Sequence, residues 1–135
     1  MRPNFSGTWK LIRGESEFGY LPEPKFRQDV IEHREPDFRV VTHQIDSNGD
    51  NTVERKLVIG ADSVEVSILG RPRLISAHWD GEDLVLETRS MVSGKERLLE
   101  DRWQVDPDEF HLRVTRVHHL PGGVVRQALR FRAVL

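Results

Sequence analysis

The sequence contains no cysteine, which excludes a disulfide framework, a thiolate metal site and a thiol nucleophile. It also lacks any apolar run approaching the ~20 residues of a membrane-crossing helix. Its first residues lack the charged-then-apolar pattern of an export signal, so the expectation is a cytoplasmic protein without stable membrane insertion. No Gly-x-Ser-x-Gly turn and no phosphate-cradling glycine motif occur, and the only Gly-Gly pair, Gly122-Gly123, reads as a turn. No histidine pair has the helical spacing of a metal site, and no carboxylate pair stands out for acid-base chemistry. These absences predict no catalytic residues, no metal, no cofactor and no nucleic-acid partner.

What remains is 135 residues, the size of one domain spanning 1–135, with 37% hydrophobic and 31% charged residues. That balance suits a thin wall with one wet face better than a thick layered core. The chain reads as strand after short strand, with nothing helical. In the first, Phe5, Gly7, Trp9 and Leu11 share a face by the period of two. Gly14, Gly19, Pro22 and Pro24 make 13–24 a loop. Strand 25–33 puts Phe26 and Val30 on one face, and 38–45 returns with Phe38 and Val40 together.

Asp46 to Asn51 has the oxygen spacing of a calcium loop but fails at its sixth position, Asn51, and its twelfth, Leu57, so it reads as a hairpin turn. Strand 53–59 sets Arg55 among Val53, Leu57 and Ile59. If that face is interior, Arg55 is a buried cation in need of a partner. After strand 63–69, Asp80-Gly81 joins 73–79 to 82–88 in the clearest hairpin of the chain. Strand 96–105 groups Leu99, Trp103 and Val105 with Asp101, and 109–118 groups Phe110, Leu112 and Val114 with Arg116. Strand 124–135 closes the count at about ten. The fold class predicted is all-β, an up-and-down antiparallel barrel, whose closure removes exposed edges.

The opening phrase Phe5-Ser6-Gly7-Thr8-Trp9-Lys10-Leu11 resembles the start of calycins, most closely the fatty-acid-binding type. The chain also resembles small bacterial lipocalin-like proteins in three phrases: Gly7 to Leu11, Trp79 to Val85, and Asp101 to Trp103. The resemblance implies a ten-stranded barrel around one small hydrophobic or amphiphilic ligand, such as a fatty acid. The family's two-helix lid is missing from 13–24, so a more open mouth is expected. The resemblance further implies that Trp9 closes the barrel, packing under Arg130 or Arg132 of the last strand. In that strand the family carries an inward Arg-x-Tyr for the ligand carboxylate. Here Arg130-Phe131-Arg132 lacks the tyrosine, and the apolar alternation Leu129, Phe131, Ala133 turns the arginines outward.

Candidate ligand-binding residues are therefore Phe26, Phe38, Arg55, Trp79, Trp103, Arg116, Arg130 and Arg132, with Arg55 and Arg116 favoured as interior cations for an acidic head. Two other functions fit the same barrel. One is a haem protein or enzyme using an interior Asp101 or one of His78, His111, His118 and His119. The other is a filled interaction module whose last hairpin, with five arginines and no acid from Phe110 to Leu135, binds an anionic partner.

Overall fold

The structure, a computed structural model, describes residues 2–135. Ten strands run in chain order: β1 (Gly7–Leu11), β2 (Phe26–Arg34), β3 (Asp37–Asp46), β4 (Gly49–Val58), β5 (Val64–Ile68), β6 (Arg71–Asp80), β7 (Asp83–Val92), β8 (Lys95–Val105), β9 (His111–Leu120) and β10 (Gly123–Ala133). A single 3-10 turn, Arg13–Glu15, is the one helical element among the described residues. Every pairing is antiparallel between sequence neighbours except β1 with β10, where Trp9 stands opposite Ala133 and, on its other side, opposite Asp29 of β2. The first strand thus joins the chain's two ends into one curved wall.

The ring has one seam. β4 and β5 form no ladder, and the wall closes there at one end only, where Gly60 N–H, just after β4, donates to Ala77 O of β6 at 2.8 Å. At that same end Phe5, fully buried, acts as a plug. It stacks on His33 and Trp79 and meets Phe38 and Trp103 edge to face, with centroids 5.9–6.2 Å apart. Such pairs add about 0.5–1.5 kcal/mol each beyond the area they bury. Phe5 N–H donates to His33 Nδ1 at 3.1 Å, so that nitrogen accepts and His33 Nε2–H faces Glu35 at 3.3 Å. Trp79 Nε1 donates to the same carboxylate.

Several expected features differ. β2 turns Arg27, Asp29, Ile31 and His33 inward, while Val30 is exposed and Phe26 lies on the outer surface against His43 and Lys10. Both faces of this strand carry apolar residues, so its period alone does not choose between them. Phe110 precedes β9 and is exposed. Trp9 makes no cation contact with the last strand. Its indole N–H donates to Phe5 O at 2.9 Å, and Arg130 pairs instead with Asp106 at 3.0 Å. Arg132 stands opposite Lys10 on the outside.

The plug predicts a stability difference between the two ends. Phe38→Ala should lower unfolding free energy by about 3–5 kcal/mol in urea titrations, because the rigid cluster cannot collapse around the void. Met91→Ala, at an exposed site by the opposite end, should change it by under about 0.5 kcal/mol.

Candidate functional site

Above the plug the barrel is hollow and charged. Alternation brings five ionised side chains inward from four strands: Arg27 and Asp29 of β2, Arg55 of β4, Asp101 of β8 and Arg116 of β9. Asp29 and Asp101 are 0% and 2% exposed. Each carboxylate is matched. Arg116 grips Asp101 with two parallel bonds, Nε to Oδ1 at 2.7 Å and Nη2 to Oδ2 at 3.1 Å. Arg27 spans Asp29 in the same way at 3.3 and 3.0 Å, with its guanidinium 5.3 Å from the Phe131 ring centroid. Two-point arginine–carboxylate pairs fix orientation as well as charge.

Arg55 is different. It is 8% exposed, and its one hydrogen bond is a long 3.5 Å contact to Thr42 Oγ1. Among the described residues no carboxylate lies within ion-pair distance of it. Burial pushes its guanidinium pKa down, and the more distant Asp29 and Asp101 compensate against Arg27 and Arg116. For Asp101, burial pushes the carboxyl up, but Arg116, then Arg55 and Arg27, override it and hold the group below its usual range. Burial likewise lowers Arg116, and Asp101 reverses the sign.

The charged belt is bordered by two hollows that share Arg27, Gln44 and Arg116. One, of about 280 Å³, lies toward the seam against Thr42, Asn51, Arg55, Ile68, Leu69 and Thr88. The other, of about 220 Å³, lies beneath the 13–24 loop against Leu11, Phe18, Leu21, Pro22, Pro24 and Leu129. Beyond the 3-10 turn Arg13–Glu15 this loop carries no helix among the described residues, and it is tied to the wall. Glu17 bridges to Ala128 of β10, Ser16 Oγ accepts from Arg130 N–H, and Gln127 Nε2 donates to Phe18 O at 3.0 Å. The loop therefore continues the wall where short β1 ends. Since the Gln127 amide nitrogen is engaged there, its oxygen at 3.0 Å from His118 Nε2 is the acceptor, and His118 donates. Burial lowers the His118 pKa and favours this neutral form.

The sequence-predicted residues separate into three places. Arg55 and Arg116 face the hollows. Phe38 and Trp103 belong to the plug with Trp79 beside them, away from both hollows. Phe26, Arg130 and Arg132 lie on the outside. Arg27, Asp29 and Gln127 were not among the predicted site residues; the β2–β3 register, which puts Ile31 opposite inward Val40, is the signal that finds the first two. Of the candidate histidines, His118 lines the hollow beneath the loop. His111 pairs with Asp108 at 2.7 Å and His119 with Glu100 at 2.6 Å. The grouping of Asp106, Asp108 and His111 is a turn: Asp108 accepts from the N–H groups of Phe110 and His111, and Asp106 meets Arg130.

Asp101 gives the site a pH dependence. Its folded pKa is depressed, so its stabilisation is complete above the unfolded value of about 3.9 and is lost as pH falls through the lower folded value. Asp101→Asn strands Arg116 beside Arg55 and should cost about 3–5 kcal/mol at pH 7. Urea midpoints from pH 7 to pH 2 should fall less steeply for the variant than for the parent below about pH 4.

No protein-family model matches the sequence, and no curated protein matches it. Solved structures do match. Zebrafish ileal bile acid-binding protein complexed with cholic acid aligns at TM-score 0.70 and 14% identity, over 96% of this chain and 98% of its own. A secretory abundant heat soluble (SAHS) protein from Ramazzottius varieornatus aligns at TM-score 0.72 and 12% identity, over 96% of this chain and 95% of its own. With ten antiparallel strands, one seam and joined ends, the chain shares the ten-stranded barrel fold of these two structures.

Proposed function

We propose that this barrel is a non-enzymatic carrier of a small amphiphile with an acidic head. The observation that carries the reading is Arg55, a buried cation without a carboxylate partner, facing a hollow of about 280 Å³. An uncompensated buried charge is costly, and a ligand anion is the natural compensation. Arg116 and Arg27 border the same space with their forks already spent on Asp101 and Asp29, so they add positive field rather than direct anchorage. The apolar part of the ligand lodges beneath the 13–24 loop, against Phe18, Leu21 and Leu129. The cholic acid of the zebrafish complex is itself an acid held in a barrel of this fold, which supports the reading. The ligand is the proposed partner, with no nucleic acid, metal or cofactor required, and the proposed compartment is cytoplasmic.

Native mass spectrometry of protein purified without delipidation should reveal a stoichiometric adduct that extracts as an acidic amphiphile. A bare polypeptide mass, with no uptake of a fluorescent fatty acid added afterwards, would sink the carrier reading. Arg55→Met supplies a second check in which two readouts move in opposite directions. Removing an unmatched buried charge should stabilise the empty protein by about 1–3 kcal/mol. The same change should weaken an anionic probe roughly 10- to 100-fold, the equivalent of one charge-assisted hydrogen bond.

A further inference from the structure

The two hollows differ in chemistry as much as in position. Beneath the loop the lining is mostly apolar. Toward the seam the lining sets the polar side chains of Thr42, Gln44, Asn51, Arg55 and Thr88 among Val53, Ile68, Leu69 and Leu99, and its neutral polar groups are left with acceptors. Gln44 spends its amide nitrogen on Asp46 at 2.6 Å, and Asn51 spends its own on Asn48 O at 3.3 Å. The carbonyl oxygens of both side chains have no donor among the described residues, and both side chains line the hollow with Thr88 and with Thr42, whose hydroxyl takes the long bond from Arg55. A methylene chain or a bare carboxylate offers no hydrogen to such acceptors, whereas an alcohol does. An alkyl chain in this hollow would leave them facing hydrocarbon, which is unfavourable.

The charge census points to a single negative charge. Arg27, Arg55, Arg73 and Arg116 face this space; Asp29 and Asp101 pair with Arg27 and Arg116, and Asp46 lies at the rim, where it accepts from Gln44 and Asn48. Four arginines against three aspartates leave one positive charge in excess, and Arg55 is the buried arginine among them with no carboxylate in ion-pair distance among the described residues.

We infer that the ligand's head is a polyhydroxylated monoanion, a sugar acid or similar group of roughly the same bulk as its apolar part, seated between Arg55 and the acceptors of Thr42, Gln44, Asn51 and Thr88. This inference rests on the amphiphile-carrier reading and narrows its ligand class. Arg55 supplies the charge-assisted bonds, and the amide and hydroxyl oxygens accept from the head's alcohols. The divider of Arg27 and Arg116 keeps the head on the seam side and the tail under the loop.

Three ligands with one tail separate the contributions: n-octanoate has the acid without hydroxyls, n-octyl β-glucoside the hydroxyls without the acid, and n-octyl β-glucuronide both. Affinities measured by calorimetry below the micelle concentrations should place the glucuronide at least tenfold tighter than either of the others. Arg55→Met should bring the glucuronide to the affinity of the glucoside and leave the glucoside unchanged. Thr88→Val should weaken both sugars severalfold and leave octanoate unchanged, with thermal melts verifying that each variant is folded. Octanoate binding as tightly as the glucuronide would overturn the polyhydroxylated head while leaving an acid carrier standing. The glucoside matching the glucuronide would overturn the anionic half of the inference. Failure of all three to bind would overturn this inference together with the carrier reading on which it rests.

Discussion

The two-point grip of Arg116 on Asp101 is the contact on which the upper barrel depends. Neither charge tolerates burial alone, and each reverses the effect of burial on the other's pKa. Once β8 and β9 carry this pair inward at facing positions, the middle of the barrel cannot be filled with hydrocarbon. Arg27 and Asp29 repeat the solution on β2, two residues apart on one face. A belt of fixed charge therefore crosses the interior, and the chain packs its large apolar side chains below it.

That division determines where space remains inside the barrel. Below the belt, Phe5 packs among four aromatic neighbours, and the seam is fastened by the Gly60–Ala77 hydrogen bond. Above it, the seam between β4 and β5 is unfastened and the 13–24 loop replaces regular strand, so side chains meet less closely and two hollows persist. The hollow end and the closed end are thus products of the same ten-strand pattern with different inward residues. Because the plug does not share residues with the hollows, changes at the site leave most of the apolar core untouched.

Much of this was legible in the sequence where one face of a strand was clearly apolar. Arg55 among Val53, Leu57 and Ile59, and Asp101 among Leu99, Trp103 and Val105, follow from parity, as does the outward direction of Arg130 and Arg132. The Asp80-Gly81 hairpin followed from turn chemistry. On β2 the pattern was ambiguous: Phe26 and Val30 compete with Ile31 on the opposite face, and only the register with β3 decides. Aromatic residues raised a different problem. Parity sends Phe38 and Trp103 inward but says nothing of height along the barrel, and height is what separates a plug from a cavity wall. The loop could not be read either, since its closure rests on long-range bonds from Glu17, Ser16 and Phe18 to β10.

The unequal number of arginines and aspartates in the belt is the step that links stability to function. A third carboxylate beside Arg55 would complete the ion pairing and relieve the buried charge, at the expense of any attraction for an outside anion. Instead the structure leaves Arg55 under-satisfied while Arg27 and Arg116 are held rigid by their partners. Rigid, pre-paired neighbours raise the local positive potential without reorganising when a ligand arrives. A single free guanidinium then limits the electrostatic part of binding to about one or two charge-assisted bonds, roughly 1.5–3 kcal/mol each. On that arithmetic charge alone gives at most about 6 kcal/mol, an affinity no better than tens of micromolar, and on the carrier reading the remainder comes from the apolar hollow under the loop and from the polar oxygens near the seam. Selectivity in such a barrel arises from requiring all three at once.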